Sequence, residues 1–236
     1  MQYFLGIEEP RLFLSIVLHF GTLIAVVIYF RKFLVDVIND TFRVFKREIN
    51  YNESNFKMGI FAVIASMPAL CAFVVFKNVY LRSFQSIQLV SYLLIINGFI
   101  LLAASYRKHV KKDIAKFDII DAILIGCAQC IAIFPGISRS GTTITCAILC
   151  GIKPNLAFKF SFLLAIPAIL GALIFDIKEI FVLESGEIFY YLSGMMISAV
   201  LGYVSLVILS KFLIKNKLYL FSLYCWIIGL SVVIWG

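Results

Sequence analysis

Six stretches of this chain, residues 12–30, 58–76, 87–105, 156–175, 188–210 and 218–235, are apolar over the length a membrane-crossing helix needs. A seventh, 119–152, is too long for one crossing and breaks at Pro135-Gly136. Its arms, 119–134 and 142–152, are each short of a comfortable span. The composition agrees: 62% of 236 residues are hydrophobic and 14% charged, against roughly 45–50% and 25% in soluble domains. No soluble domain of this size hides so much apolar surface, so lipid is the solvent for most of the chain. Intrinsic disorder, a collagen-like fibre and a secreted disulfide scaffold are excluded together.

The excess of base over acid, net +8, belongs to topology rather than to nucleic acid. Loops 31–57, 106–117 and 211–217, with Lys153, put fifteen basic residues on one side. The other side has Arg11, Lys77, Arg82 and Lys178 beside an acidic loop with Asp176, Glu179, Glu184 and Glu187. The first side is therefore assigned to the cytoplasm. Region 119–152 then leaves and returns to the same side, because span 156–175 must also start there. Two short helices forming a re-entrant helix–loop–helix satisfy this, with irregular backbone tolerated where protein or a wet cavity surrounds it.

The expected fold is an all-α polytopic membrane protein with six transmembrane helices plus a re-entrant helix–loop–helix, in one membrane domain, 1–236. Residues 118–236, with the loop 134–143, form one half-repeat, and 1–117 an inverted half with three spans and no re-entrant unit before them. By that symmetry a unit of roughly 35 residues is expected ahead of Glu8.

The break reads Phe134-Pro135-Gly136-Ile137-Ser138-Arg139-Ser140-Gly141-Thr142-Thr143. An arginine at membrane depth costs several kcal/mol unless an anion or a wet cavity meets it. Its planar fork matches phosphate oxygens. A Ser/Thr/Gly-rich turn opening a helix aims free N–H groups and the positive dipole end at an anion. Pro135 ends the incoming helix, Gly136 and Gly141 allow a tight turn, and the hydroxyls of Ser138, Ser140, Thr142 and Thr143 add donors or a nucleophile. The competing reading is an arginine snorkelling to the interface with serines capping a helix.

These residues resemble the PGxSRSxxT motif of the undecaprenyl-diphosphate phosphatase family, also called the bacitracin-resistance protein family. Gly126-Cys127-Ala128-Gln129 is similar to its GxxQ, Phe160 to Pro167 to its FSFLLAxP stretch, and Leu18-His19-Phe20-Gly21-Thr22 to its first long span. The resemblance implies hydrolysis of undecaprenyl diphosphate to the monophosphate, recycling the carrier for peptidoglycan synthesis and conferring bacitracin resistance. It implies Arg139, Ser138 and Thr143 as catalytic residues, with Pro135, Gly136, Ser140, Gly141, Thr142 and Gln129 around the substrate. It implies a divalent cation, Mg²⁺ or Ca²⁺, for which no protein ligand is assigned. The expected partners are a polyprenyl diphosphate lipid and the membrane, not nucleic acid, with a homodimer left open; the expected location is the bacterial cell (inner) membrane, multi-pass.

The match departs in two places. The family's ExxxE and SSxGH residues have no counterpart here, since Glu8 and Glu9 are adjacent and His19 belongs to a different stretch. His19 reads as a packed, hydrogen-bonded core residue and His109 as a solvated loop residue. Lys159 stands where many relatives carry an acid, and is placed to snorkel. A non-hydrolytic lipid-phosphate binding or flipping protein, or an inactive remnant, is the alternative. Asp118 and Asp121 read as helix-capping groups, and the six cysteines, Cys127-x-x-Cys130 included, as small hydrophobes.

Overall fold

The computed structural model describes residues 12–83, 86–107, 112–175 and 188–235. They form eight helices: α1 (Leu12–Phe45), α2 (Glu53–Ser83), α3 (Ile87–Ala103), α4 (Ile119–Ile131), α5 (Arg139–Leu149), α6 (Pro154–Phe175), α7 (Ile188–Ile214) and α8 (Tyr219–Trp235). Among the described residues the only β-pairing is an isolated bridge between Lys112 and Ile152. Four stretches, Glu53–Phe76, Ile87–Tyr106, Pro154–Gly171 and Ile188–Ile214, are long and apolar enough to cross a membrane. Side chains such as Val75, Val200, Leu201 and Ile227 lie more than half exposed on the outside, as lipid-facing residues must.

Two sequence expectations are corrected. The basic segment after residue 30 is not a loop: α1 runs on to Phe45, 34 residues in all, or about 51 Å at 1.5 Å per residue. The apolar stretch marks the membrane part of a helix, while its polar continuation stays helical because nothing in it breaks the backbone. The second arm of the broken region starts at Arg139 rather than 142, because Ser138 caps it.

The helices pack through small residues, as expected where lipid supplies no hydrophobic drive and van der Waals contact decides. α1 lies along α7, α3 along α8, and α2 along α4. A Cβ on Gly126 of α4 would stand 2.5 Å from the Ala65 carbonyl oxygen of α2, so only glycine permits that approach. α5 sits in the middle, against α3, α4 and α6. Its residues 141–145, 147 and 148 are buried, and Ile144, Ala147 and Ile148 join Phe160 and Leu164 in the core.

α4 and α5, of 13 and 11 residues, span only about 20 Å and 17 Å. Both outer ends are tied to Lys112. Its Nζ donates to the two carboxylate oxygens of Asp121 at 2.9 and 3.0 Å. Its backbone N–H donates to Gly151 O, and its carbonyl accepts from Lys153 N, each at 2.9 Å. The outer ends of the pair therefore lie close together. Asp118 and Asp121 form a reciprocal cap on α4, as read from the sequence. The hydrogen bond from Lys112 to Asp121 holds the Lys112 ammonium above its usual range.

Candidate active site

The break between α4 and α5 is fixed from three sides. Gly136 adopts φ +95°, and a Cβ there would lie 2.6 Å from the Val90 carbonyl oxygen of α3. The turn is thus left-handed and pressed against a neighbouring helix, so glycine is required twice over. The Ser138 N–H donates to Asn97 Oδ1 at 2.9 Å, and Asn97 Nδ2 donates to Cys225 Sγ at 3.2 Å. α3 and α8 thereby hold the mouth of α5 in place. Ser138 Oγ accepts from Gly141 N at 3.1 Å as the helix cap.

Arg139 does not snorkel. Its Nε and Nη2 donate to Gln129 Oε1 at 3.0 and 2.7 Å, and Nη2 also donates to the Leu164 carbonyl. Both partners are neutral. No carboxylate pairs with Arg139 among the described residues, although the residue is partly buried. A partly buried cation with neutral partners at a helix N-terminus is an arrangement that can receive an anion. The first N–H groups of α5 have no partner within the helix and add to it.

Thr143 Oγ1 donates within its own helix to Arg139 O at 3.0 Å or Ser140 O at 3.2 Å, and lies 2.6 Å from Ser161 Oγ of α6. Thr142 Oγ1 and Thr145 Oγ1 are buried with no hydrogen-bond partner among the described residues. Since buried hydroxyls are nearly always satisfied, Thr142, next to Arg139's turn, holds a donor in reserve.

The structure thus gathers Arg139, Ser138, Thr143, Gly136, Gly141, Thr142 and Gln129 at one place, with Pro135 and Ser140 in the same turn. Gln129 meets Arg139 directly and can aim the guanidinium. Two participants escaped the sequence reading. Ser161 sits inside the FSF stretch and is fully buried, and Asn97 is a buried amide midway along an apolar helix; that polarity was the available signal.

Other readings fare differently. His19 is exposed on α1 rather than packed in the core, because it lies on the outward face of that helix. Of the cysteines, all free, only Cys225 is fully buried, while Cys71 and Cys127 are exposed on apolar helices. Glu8, Glu9, His109 and the acidic loop of Asp176 to Glu187 lie outside the described residues. No three His, Cys, Asp or Glu side chains converge among the described residues. The hydroxyls and amide around Arg139 contribute no carboxylate, so they do not fit a divalent cation as its ligand set.

A bundle of apolar helices enclosing a short broken pair, with an arginine at the break that has no carboxylate partner among the described residues, defines a multi-pass membrane protein. The match to known proteins is specific: the family described as bacitracin resistance protein BacA covers residues 1–231. The chain belongs to that family. It is 33% identical to an undecaprenyl-diphosphatase of Alkaliphilus metalliredigens, over 100% of this chain and 88% of that protein. It is 33% identical to one of Halothermothrix orenii, over 99% and 86%. An undecaprenyl-diphosphatase of Methanothermobacter thermautotrophicus is 37% identical over 72% of this chain and 96% of its own length.

Proposed function

We propose that this protein hydrolyses undecaprenyl diphosphate to undecaprenyl phosphate and inorganic phosphate in the membrane. The observation that carries the reading is Arg139, partly buried and, among the described residues, bonded only to neutral acceptors. A diphosphate is the ligand class that supplies the missing negative charge in bidentate form. Membership of the family and the names of its relatives support the particular substrate.

The chemistry is displacement at the terminal phosphorus. Water adds to it, the bond to the bridging oxygen breaks, and that oxygen leaves with the lipid-linked phosphate. Positioning and charge stabilisation supply most of the catalysis in such transfers. Arg139 holds the terminal phosphate, and the N–H groups opening α5 meet the charge that grows on its oxygens. Ser138 accepts at Oγ from Gly141, which leaves its O–H free to donate to phosphate. Thr143 is engaged with backbone and Ser161, so it positions the turn and does not attack phosphorus. Thr142 supplies the unspent hydroxyl.

The finer topology belongs to the same reading: six crossings, the α4–α5 pair entering and returning from the cytoplasmic side, and two inverted halves in a bacterial cell membrane. The return of both arms to Lys112 supports it. So does the packing, in which α1 meets α7 as α2 meets α6, while α1 meets α6 and α3 meets α8, as a two-fold axis would require. The divalent cation implied by the resemblance is a proposal too; the residues around Arg139 would not be its ligands, and it is supported if chelation abolishes activity and Mg²⁺ or Ca²⁺ restores it.

The test is phosphate release from undecaprenyl diphosphate by the purified full chain. Arg139→Ala should abolish it, and Arg139→Lys, which keeps the charge but loses the fork, should retain only a small fraction. Activity indifferent to both substitutions would overturn the reading.

A further inference from the structure

A second charged cavity lies away from Arg139, between α1, α6 and α7. It measures about 460 Å³ and is lined by Tyr29, Arg31, Lys32, Asn155, Lys159 and Tyr203, with phenylalanines behind them. We propose that this cavity binds the phosphate headgroup of an anionic membrane phospholipid. Its lining contains three cations and no carboxylate. On the same charged side Arg43 pairs with Asp40 and Glu48, Lys112 with Asp121 and Lys153 with Asp113, whereas these three cations converge on one cavity that no carboxylate lines. None of Arg31, Lys32 or Lys159 takes part in an ion pair among the described residues. Asp36, one turn beyond Lys32, opens onto a neighbouring cleft with Asp40 and Arg43 instead.

The cavity floor fits a lipid rather than a soluble anion. Lys159 is partly buried, its Nζ 5.3 Å from the centre of the Phe33 ring. Tyr29 packs edge-on against Phe30, Phe158 and Tyr203, at centroid distances of 4.7, 6.0 and 5.9 Å. Aromatic rings of this kind mark the depth where headgroups meet acyl chains. Below them the exposed faces of Ile28 and Val204 continue the apolar wall. A headgroup among the cations would leave its acyl chains on that wall. Juxtamembrane cations contribute about 1 kcal/mol each toward anionic lipid, so three focused on one cavity discriminate sharply against neutral lipid. The choice of leaflet rests on the orientation proposed above, whereas the binding itself is independent of hydrolysis at Arg139.

The test reads retained lipid, not phosphate release. The full chain is extracted from vesicles of phosphatidylcholine with a minority of phosphatidylglycerol, and bound lipid is measured by native mass spectrometry. The wild type should retain phosphatidylglycerol selectively. The Arg31→Gln, Lys32→Gln, Lys159→Gln triple variant should lose that selectivity by about a hundredfold. A control with the same charge change, Lys46→Gln, Lys116→Gln, Lys217→Gln, should keep it. If the triple variant fails to elute as a folded species, Lys159→Gln alone should still show a partial loss, with Lys159→Arg retaining binding. Equal loss in the control, or full retention in the pocket variants, would overturn the proposal. Displacement of the lipid by inorganic phosphate in the tens of millimolar would overturn the lipid assignment in favour of a soluble anion.

Discussion

Thr143 Oγ1 and Ser161 Oγ stand 2.6 Å apart, both buried, and their contact binds the helix that carries Arg139 to α6. The Leu164 carbonyl that receives Arg139 lies one turn further along α6, so this single contact sets the register of the guanidinium against its backbone acceptor.

Ser161→Ala removes that contact and leaves Thr143 to its own helix. A neutral hydrogen bond is worth about 1 kcal/mol net, so kcat should fall roughly five-fold with KM little changed. Ser161→Thr, which keeps the hydroxyl, should recover most of the loss. Steady-state phosphate release on both variants decides the point, and a drop in KM-dependent binding alone would contradict it.

Gln129→Glu puts a carboxylate where Arg139 now has a neutral acceptor. The charge-assisted pair should hold the fork more tightly while neutralising the charge that the diphosphate needs. KM is expected to rise by about tenfold or more, with melting temperature unchanged or higher. Parallel thermal unfolding separates this outcome from a collapsed site, which would lower the melting temperature together with kcat.

Gly136→Ala forces an L side chain into a left-handed turn and against the Val90 carbonyl. It should destabilise by roughly 1–3 kcal/mol or more and abolish activity. Gly171→Ala is the matched control, because a Cβ there meets nothing within 4 Å. It should be neutral or slightly stabilising, as alanine favours helix over glycine.

Asp40 near the end of α1 accepts from Asn55 Nδ2 at 2.7 Å, and this bond, chiefly, holds its carboxyl below the ordinary value of 3.8. A depressed carboxyl stabilises the fold above its ordinary value, and that contribution is lost as pH falls through the lowered one. The stability gap between wild type and Asn55→Leu should therefore stay constant from about pH 8 to about pH 5 and shrink in stronger acid. Thermal unfolding across that range checks it, and a gap that widens in acid would refute the assignment.

The sequence made the site legible because its residues violate their surroundings. Arg139, four hydroxyls and a Pro-Gly pair inside an apolar run have few physical explanations, and the structure gathers them at one turn. The capping pair Asp118 and Asp121 was readable for the same reason. Ser161 and Asn97 were harder to see: each is one small polar residue in an apolar helix, and only the packing of α6 and α3 against the break gives it a partner. The extension of α1 beyond residue 30 was hidden because a hydropathy pattern reports where lipid ends, not where hydrogen bonding along a helix stops. His19 was misplaced because periodicity along one helix cannot say which face its neighbours will cover.

α5 is enclosed by α3, α4 and α6 along almost its whole length. On the site proposed above, a prenyl tail finds no free wall of α5 to lie against and would stay in the bilayer while the headgroup alone enters. Tail and headgroup answer to different judges: the bilayer retains the molecule, and the buried turn inspects only its charge. A site built this way would be blind to how many isoprene units trail outside.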